Sequence, residues 1–178
     1  MAADAFEHMV DADRGIVSRE IFVSPEVYQR ELETVFARAW LMVGHESLVP
    51  EPGDFYTSRM GEESVILCRD RKSEIHVFLN SCRHRGMKVC RYDQGNTEVF
   101  TCPYHSWAYA LDGKLQGVPH YKDLYDGILD REAWGLIHVP KMVNYKGTIW
   151  ASWDENAPDF LTYLGDAVEH LDLSLIHI

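Results

Sequence analysis

The spacing of apolar residues changes along the chain. After Ser24 they recur at helical intervals, with Val27, Leu32, Val35, Phe36 and Ala39 on one stripe. Ser24-Pro25-Glu26 reads as the start of that helix: Ser as N-cap, Pro at the first helical position, an acid in the first turn. The stripe predicts a helix running to about Trp40. From Leu41 the period falls toward two. Strands are predicted at Leu41 to His45, Asp54 to Met60, Ser64 to Arg69 and Glu74 to Asn80. Turns fall at Pro52-Gly53, Gly61-Glu62 and Arg71-Lys72-Ser73. Asp112-Gly113 marks a hairpin, and later strands are predicted at Leu136 to Val139 and Gly147 to Trp153. His120 to Ala133 is polar and irregular, with room for one short helix. Pro158-Asp159 opens a last helix with Phe160, Leu161, Leu164, Val168 and Leu171 as its apolar face. Short strands with frequent turns predict a mainly β fold of antiparallel sheets, with helices flanking both ends.

Composition narrows the classes. The 178 residues, 46% hydrophobic and 25% charged, suit a globular unit with a sizeable core. A net charge of −11 argues against nucleic acid and anionic membranes as partners. There is no apolar run of about 18 residues, so no spanning helix is expected. The acidic opening MAADAFEHMVDADRG is not a signal peptide, which points to the cytoplasm.

The chemistry lies in two short segments. Cys82-Arg83-His84 and Cys102-Pro103-Tyr104-His105 each pair one Cys with one His, and 17 residues separate His84 from Cys102. Two thiolates and two imidazoles on two loops match the ligand set of a Rieske [2Fe-2S] cluster, in which two Cys bind one iron and two His the other. Soft thiolate suits iron–sulfur centres and neutral imidazole suits iron. Gly86 lets the first loop turn sharply, and Pro103 stiffens the second. A structural zinc site uses the same residue types, although zinc sites more commonly pair Cys with Cys and His with His. A Cys82–Cys102 disulfide is the weakest option in a chain without secretory features. Cys68, inside Val65-Ile66-Leu67-Cys68, reads as core, and Cys90 as loop packing close to the metal loops.

Cys82-Arg83-His84-Arg85-Gly86 and Cys102-Pro103-Tyr104-His105-Ser106-Trp107 resemble the α (large) subunit of bacterial aromatic ring-hydroxylating dioxygenases, the Rieske non-haem iron oxygenases. Phe36-Ala37-Arg38-Ala39-Trp40, Val43-Gly44-His45-Glu46, Pro52-Gly53-Asp54-Phe55, Asp112-Gly113-Lys114-Leu115 and Tyr163-Leu164-Gly165-Asp166 extend the likeness over about residues 16 to 172. It is strongest toward the enzymes of polycyclic aromatic hydrocarbons. The resemblance implies an electron-transfer domain that takes electrons from a ferredoxin or reductase and passes them to a mononuclear iron. By position, Cys82 and Cys102 would bind the inner iron, and His84 and His105 the outer one. Trp107 would pack beneath the cluster, with Arg85, Gly86 and Tyr104 beside it. Neighbouring α subunits, and a β subunit, are the implied assembly partners. No catalytic residue is expected in these residues. Asp166, His170 and His177 miss the spacing of the family's two-His-one-carboxylate iron site, so that iron would belong to a further domain. The implied division is an extension and helix over 1–40, a Rieske domain over 41–157, and the start of a catalytic domain over 158–178, whose last residues depart from the family. A free-standing Rieske-type ferredoxin, an electron carrier only, is the alternative.

Overall fold

The computed structural model describes residues 6–176. A small antiparallel pair, β1 (Val10–Asp11) and β2 (Ile16–Val17), leads into helix α1 (Pro25–Glu31). Ser24 caps α1, its hydroxyl accepting from the Val27 N–H at 3.4 Å. The predicted helix does not run unbroken to Trp40. It passes into a π-helical turn at Leu32–Phe36, where the Ala37 N–H reaches back to the Leu32 carbonyl. The extra residue in that turn rotates the stripe, so Val27 is buried while Val35 points outward, 49% exposed.

The strands then build three sheets. Strands β4 (Asp54–Met60), β5 (Glu63–Arg69), β6 (Ile75–Leu79) and β7 (Gln94–Asn96) form one in the order β6-β5-β4-β7. Strand β3 (Leu41–His45) pairs with β12 (Thr148–Ser152), which pairs with β11 (Lys141–Tyr145). The third sheet joins β8 (Phe100–Thr101), β9 (Ala108–Tyr109) and β10 (Leu115–Gly117). All the pairings are antiparallel.

Strand β5 explains how the sheets stack. Side chains alternate across a strand, and Val65, Ile66, Leu67 and Cys68 are all fully buried. Val65 and Leu67 join Val43, Val49, Met60, Val77, Ile149 and Ala151 in one core. Ile66 and Cys68 face the other way, into a core with Phe55, Phe78, Phe100, Trp107 and Tyr109. The four-stranded sheet is therefore the central layer, and the second core is the floor on which the Cys–His loops stand. Cys68 is a core residue, as its run predicted; its thiol donates to the Leu111 carbonyl at 3.4 Å, and burial pushes its pKa up.

Three expectations differ from the structure. Leu136 to Val139 is not a strand; it touches the central sheet through an isolated Phe78–His138 bridge and bonds from Leu79 to Ile137 and from Val139 to Val77. Strands β1, β2 and β7 to β11 were not anticipated: all but β11 are only two or three residues long, and Lys141 to Tyr145 mixes polar and apolar residues without alternating them in sequence. The last helix is two, α3 (Phe160–Leu164) and α4 (Ala167–Leu175), split where Gly165 adopts φ 52°. That break leaves Leu161 exposed, while Phe160 is buried against Trp40 and Trp150. The short helix expected between His120 and Ala133 is Tyr121–Tyr125, here α2.

Candidate metal centre

Both Cys–His segments close into the same kind of loop. In the first, the Cys82 N–H donates to the Met87 carbonyl and the Gly86 N–H returns to the Cys82 carbonyl, both at 2.8 Å. In the second, the Cys102 N–H donates to the Trp107 carbonyl at 2.8 Å and the Ser106 N–H to the Cys102 carbonyl at 3.0 Å. The residue four past each Cys takes the left-handed conformation: Gly86 at φ 70° and Ser106 at φ 57°. Glycine takes that conformation without strain, whereas Ser106 bears a cost of about 1–2 kcal/mol. An added Cβ at Gly86 would meet nothing closer than the Ser81 hydroxyl at 3.8 Å, so backbone conformation, not space, is what calls for glycine.

Cys82 and Cys102 are buried at 3% and 2% exposure, and neither is in a disulfide. The two imidazoles lie edge to face, with ring centroids 4.6 Å apart and planes at 72°. Trp107 is buried and stacks flat on His84, with centroids 5.1 Å apart and planes at 9°. Tyr104 covers His105 at 3.8 Å and is itself 57% exposed. Arg85 is exposed, and Cys90 is buried in the core below, its thiol pushed up to about 12 by burial.

The decisive detail is chemical. The Nδ1 atoms of His84 and His105 are both buried, and neither has a hydrogen-bond partner. A buried polar atom without a partner costs about 1–3 kcal/mol, so these two nitrogens, on the same loops as two buried thiols, are the atoms a bound metal centre would satisfy. Burial, the neighbouring His105 and Arg85 hold His84 below its ordinary pKa, which favours the neutral ring that ligates metal. A second group of donors, Asp70, Glu74 and His76, lies drawn together within 4.8 Å elsewhere in the described residues.

Residues 39–133 match the family described as Rieske [2Fe-2S] domain. The chain belongs to the Rieske family. It is 45% identical to the biphenyl dioxygenase subunit alpha of Metapseudomonas furukawaii over 97% of its own length and 39% of that protein's. It is also 45% identical to the benzene 1,2-dioxygenase subunit alpha of Pseudomonas putida, over 93% of this chain and 36% of the other. Among solved structures, naphthalene 1,2-dioxygenase from a Rhodococcus species bound to indole superposes with a TM-score of 0.87 at 44% identity, covering 94% of this chain and 38% of that one. A quaternary ammonium Rieske monooxygenase follows the same fold at 30% identity with a TM-score of 0.76, over 86% of this chain and 42% of its own. The chain thus spans about two fifths of the length of the curated relatives it matches.

Sequence reasoning overlooked some of the residues that shape the centre. The Tyr109 hydroxyl lies 3.2 Å from Cys82 Sγ and accepts from the Arg83 N–H at 3.0 Å. Either atom can donate while Cys82 is a thiol; once Cys82 is a thiolate, the Tyr109 hydroxyl is the donor. The signal was present: Tyr109 follows Trp107 by two residues, and strand alternation turns both inward. Arg83 sets its guanidinium 5.6 Å over the Trp134 ring, and its buried Nε is unpartnered. Trp134 in turn meets Trp107 edge-on at 6.0 Å. Asn80 ties both ends of the first loop together. His170, by contrast, lies exposed on α4 as the spacing implied, and His177 falls outside the described residues.

Asp70, Glu74 and His76 serve the β5–β6 turn. One Asp70 oxygen accepts from the Lys72 and Glu74 N–H groups at 2.8 and 2.9 Å, and the other pairs with His76 at 3.1 Å. Burial pushes Asp70 upward, but His76 and the two N–H groups outweigh it and hold the carboxyl below its ordinary 3.8. Burial and the neighbouring His76 likewise hold His138 below 6.5. Both folded-state values are depressed, so both contributions to stability are present above the ordinary value and lost as pH falls through the lowered one. Melting temperature should therefore fall in two stages, the first below about pH 6.5 from His138 and the second below about pH 4 from Asp70. His138→Phe should reduce the first stage, to which His84 also contributes, and leave the second unchanged. Asp70→Asn should lower the melting temperature at neutral pH by an amount that shrinks in acid. Melting curves that stay parallel to the wild type across this range would refute both assignments.

Proposed function

We propose that the chain is the electron-transfer part of an aromatic ring-hydroxylating dioxygenase α subunit. The two unpartnered, buried Nδ1 atoms, on the same two loops as two buried thiols, carry this reading. Cys82 and Cys102 hold the inner iron, and His84 and His105 the outer one. When bound, the [2Fe-2S] cluster supplies a one-electron relay between a donor protein and a mononuclear iron in a further domain. Residues 41–157 form the Rieske domain, 1–40 an extension with its helix, and 158–178 lead toward the catalytic part. The relatives' names support an arene as the substrate of the whole enzyme. Identities of 43 to 46% run evenly through biphenyl, benzene, chlorobenzene and naphthalene enzymes, which supports an aromatic hydrocarbon and does not favour a polycyclic one. A ferredoxin or reductase donor, neighbouring α subunits, a β subunit and a cytoplasmic setting complete the proposal. Among the described residues no helix is long and apolar enough to cross a membrane.

Chain residues set how the relay works. Trp107 excludes water from one face of His84, and the closed loops keep both thiols buried. With Cys82 deprotonated as a cluster ligand, the Tyr109 hydroxyl 3.2 Å away would donate to its sulfur, and such a bond favours the more negative, reduced state. Tyr109→Phe should lower the reduction potential by about 40 mV if that bond favours reduction by about 1 kcal/mol. A potential unchanged in the variant, with the cluster intact, would remove Tyr109 from this role.

Iron and acid-labile sulfide analysis of the purified, reconstituted protein tests the proposal. Equal iron and sulfide, with absorption bleached by one electron per chain, supports it. Zinc without sulfide overturns it in favour of a structural site.

A further inference from the structure

The turn between β5 and β6 brings together side chains that the electron relay does not use. Asp70 follows the last residue of β5, Glu74 precedes the first of β6, and His76 lies inside β6. The Asp70 N–H donates to the Glu74 carbonyl at 2.8 Å, and the Glu74 N–H returns to Asp70 Oδ1 at 2.9 Å, so the two acids face each other across the turn. Strand alternation carries Glu74 and His76, two residues apart, to the same face. One donor atom from each of the three lies within 4.8 Å of the other two.

The three side chains are directed as ligands must be. Oδ1 of Asp70 is taken by the Lys72 and Glu74 N–H groups, which leaves Oδ2 facing His76 Nε2 at 3.1 Å. The His76 ring stacks on Phe78, with centroids 5.7 Å apart and planes at 15°, and this fixes the direction of Nε2. Glu74 is exposed, and its carboxylate has neither an ion pair nor a hydrogen bond among the described residues. Charge gives a separate argument. Arg69, Arg71 and Lys72 flank Asp70, yet none of them pairs with either carboxylate. Arg69 donates to the Val49 and Ser73 carbonyls, Arg71 pairs with Glu98, and the Lys72 side chain has no ion-pair partner among the described residues. Two carboxylates and an imidazole thus converge on one spot with no Lys or Arg to balance them.

We propose that Asp70 Oδ2, the Glu74 carboxylate and His76 Nε2 bind one Zn2+ ion at the β5–β6 turn, apart from the metal loops. One imidazole and two carboxylates are ordinary zinc ligands, whereas Mg2+ and Ca2+ take oxygen alone. On binding, the hydrogen between Nε2 and Oδ2 moves to Nδ1 of the same ring, and the lone pairs of Nε2 and Oδ2 go to the ion. A swing of the exposed Glu74 side chain completes the set, and three protein ligands leave the fourth position to water. The ion would clip β5 to β6 in the central sheet. Nothing in the site depends on the cluster.

Zinc titration of the cluster-loaded chain, followed by calorimetry and melting, tests this. One equivalent should bind with the visible absorption unchanged, and should raise the melting temperature by roughly 5–10 °C at a hundredfold excess over Kd. Glu74→Gln and His76→Gln should each weaken binding by about tenfold or more, since even the groups that orient metal ligands are worth about 10–100-fold. Glu74→Gln keeps the N–H that holds the turn, so without zinc it should melt like the wild type. Glu98→Gln, which removes a nearby exposed carboxylate, should bind zinc as the wild type does, and Mg2+ should not compete. No binding, or binding unchanged in both site variants, overturns the inference. Binding weakened equally by Glu98→Gln overturns it in favour of diffuse attraction to surface acids. Zinc uptake matched by loss of the visible absorption overturns it in favour of iron displaced from the loops. If iron analysis has already refuted the cluster, the loops are a second zinc site. An equivalent kept by Cys82→Ala and lost by Glu74→Gln then sustains the turn site, and a single equivalent lost in Cys82→Ala overturns it.

Discussion

Replacing Cys82 or Cys102 with alanine is expected to abolish the visible absorption and to lower the melting temperature by roughly 8–16 °C. Both thiols are buried, at 3% and 2% exposure, so neither can be replaced by water or by another side chain at the surface. Burial, the largest influence, raises the Cys102 thiol, and the nearby Cys82 thiol raises it further. Thiolate is thus costly here without a metal, and metal binding must release the protons. Ligation that stabilises only the folded state adds about 4 kcal/mol when the ligand stands at a thousandfold excess over its Kd. At 2–4 °C per kcal/mol for a chain of about this size, that gives the stated fall. Cys68→Ala and Cys90→Ala should keep the colour, because their thiols belong to the core and not to the loops. A coloured Cys82→Ala protein, or a colourless Cys90→Ala one, would overturn the ligand set.

Asn80→Ala should cost about 3–5 kcal/mol and make the centre labile, although Asn80 touches no ligand atom. Its Oδ1 accepts from the N–H groups of Val89 and Cys90, both at 2.9 Å. Its Nδ2 donates to the Cys90 carbonyl at 2.8 Å and to the Ser64 hydroxyl at 3.2 Å. One buried side chain, 3% exposed, therefore closes the loop between the end of β6 and Cys90 and pins it to β5. Alanine leaves two buried N–H groups unpaired, at about 1–3 kcal/mol each. Calorimetry should show the loss. Hydrogen exchange should show the amides of Val89 and Cys90 losing protection while those of β5 keep theirs. Uniform loss across the domain, or none, would mean that the loop is held by other contacts.

The strands carrying one-sided or fully apolar runs were legible in advance. Leu41–His45 and Asp54–Met60 matched residue for residue, because alternation and bounding turns leave little freedom in register. The four metal-binding candidates were equally legible, since paired Cys and His at such spacing have few other uses. Asn80 and Tyr109 were not. An Asn at a strand end and a Tyr in a strand are ordinary in any sequence, and their roles exist only once residues 9 to 27 positions away are folded against them.

The same boundary runs through the whole molecule. Local pattern was enough for the antiparallel β class, the two loops and the ligand types, because period, turn chemistry and donor softness act over a few residues. Contacts between distant segments were needed for the π-turn that turns Val35 outward and the break at Gly165. They were needed also for the two cores that share β5, and for the edge strands β7 and β11. Each of these depends on which segments meet, and that is settled by the burial of whole sheets rather than by any residue's neighbours in the chain.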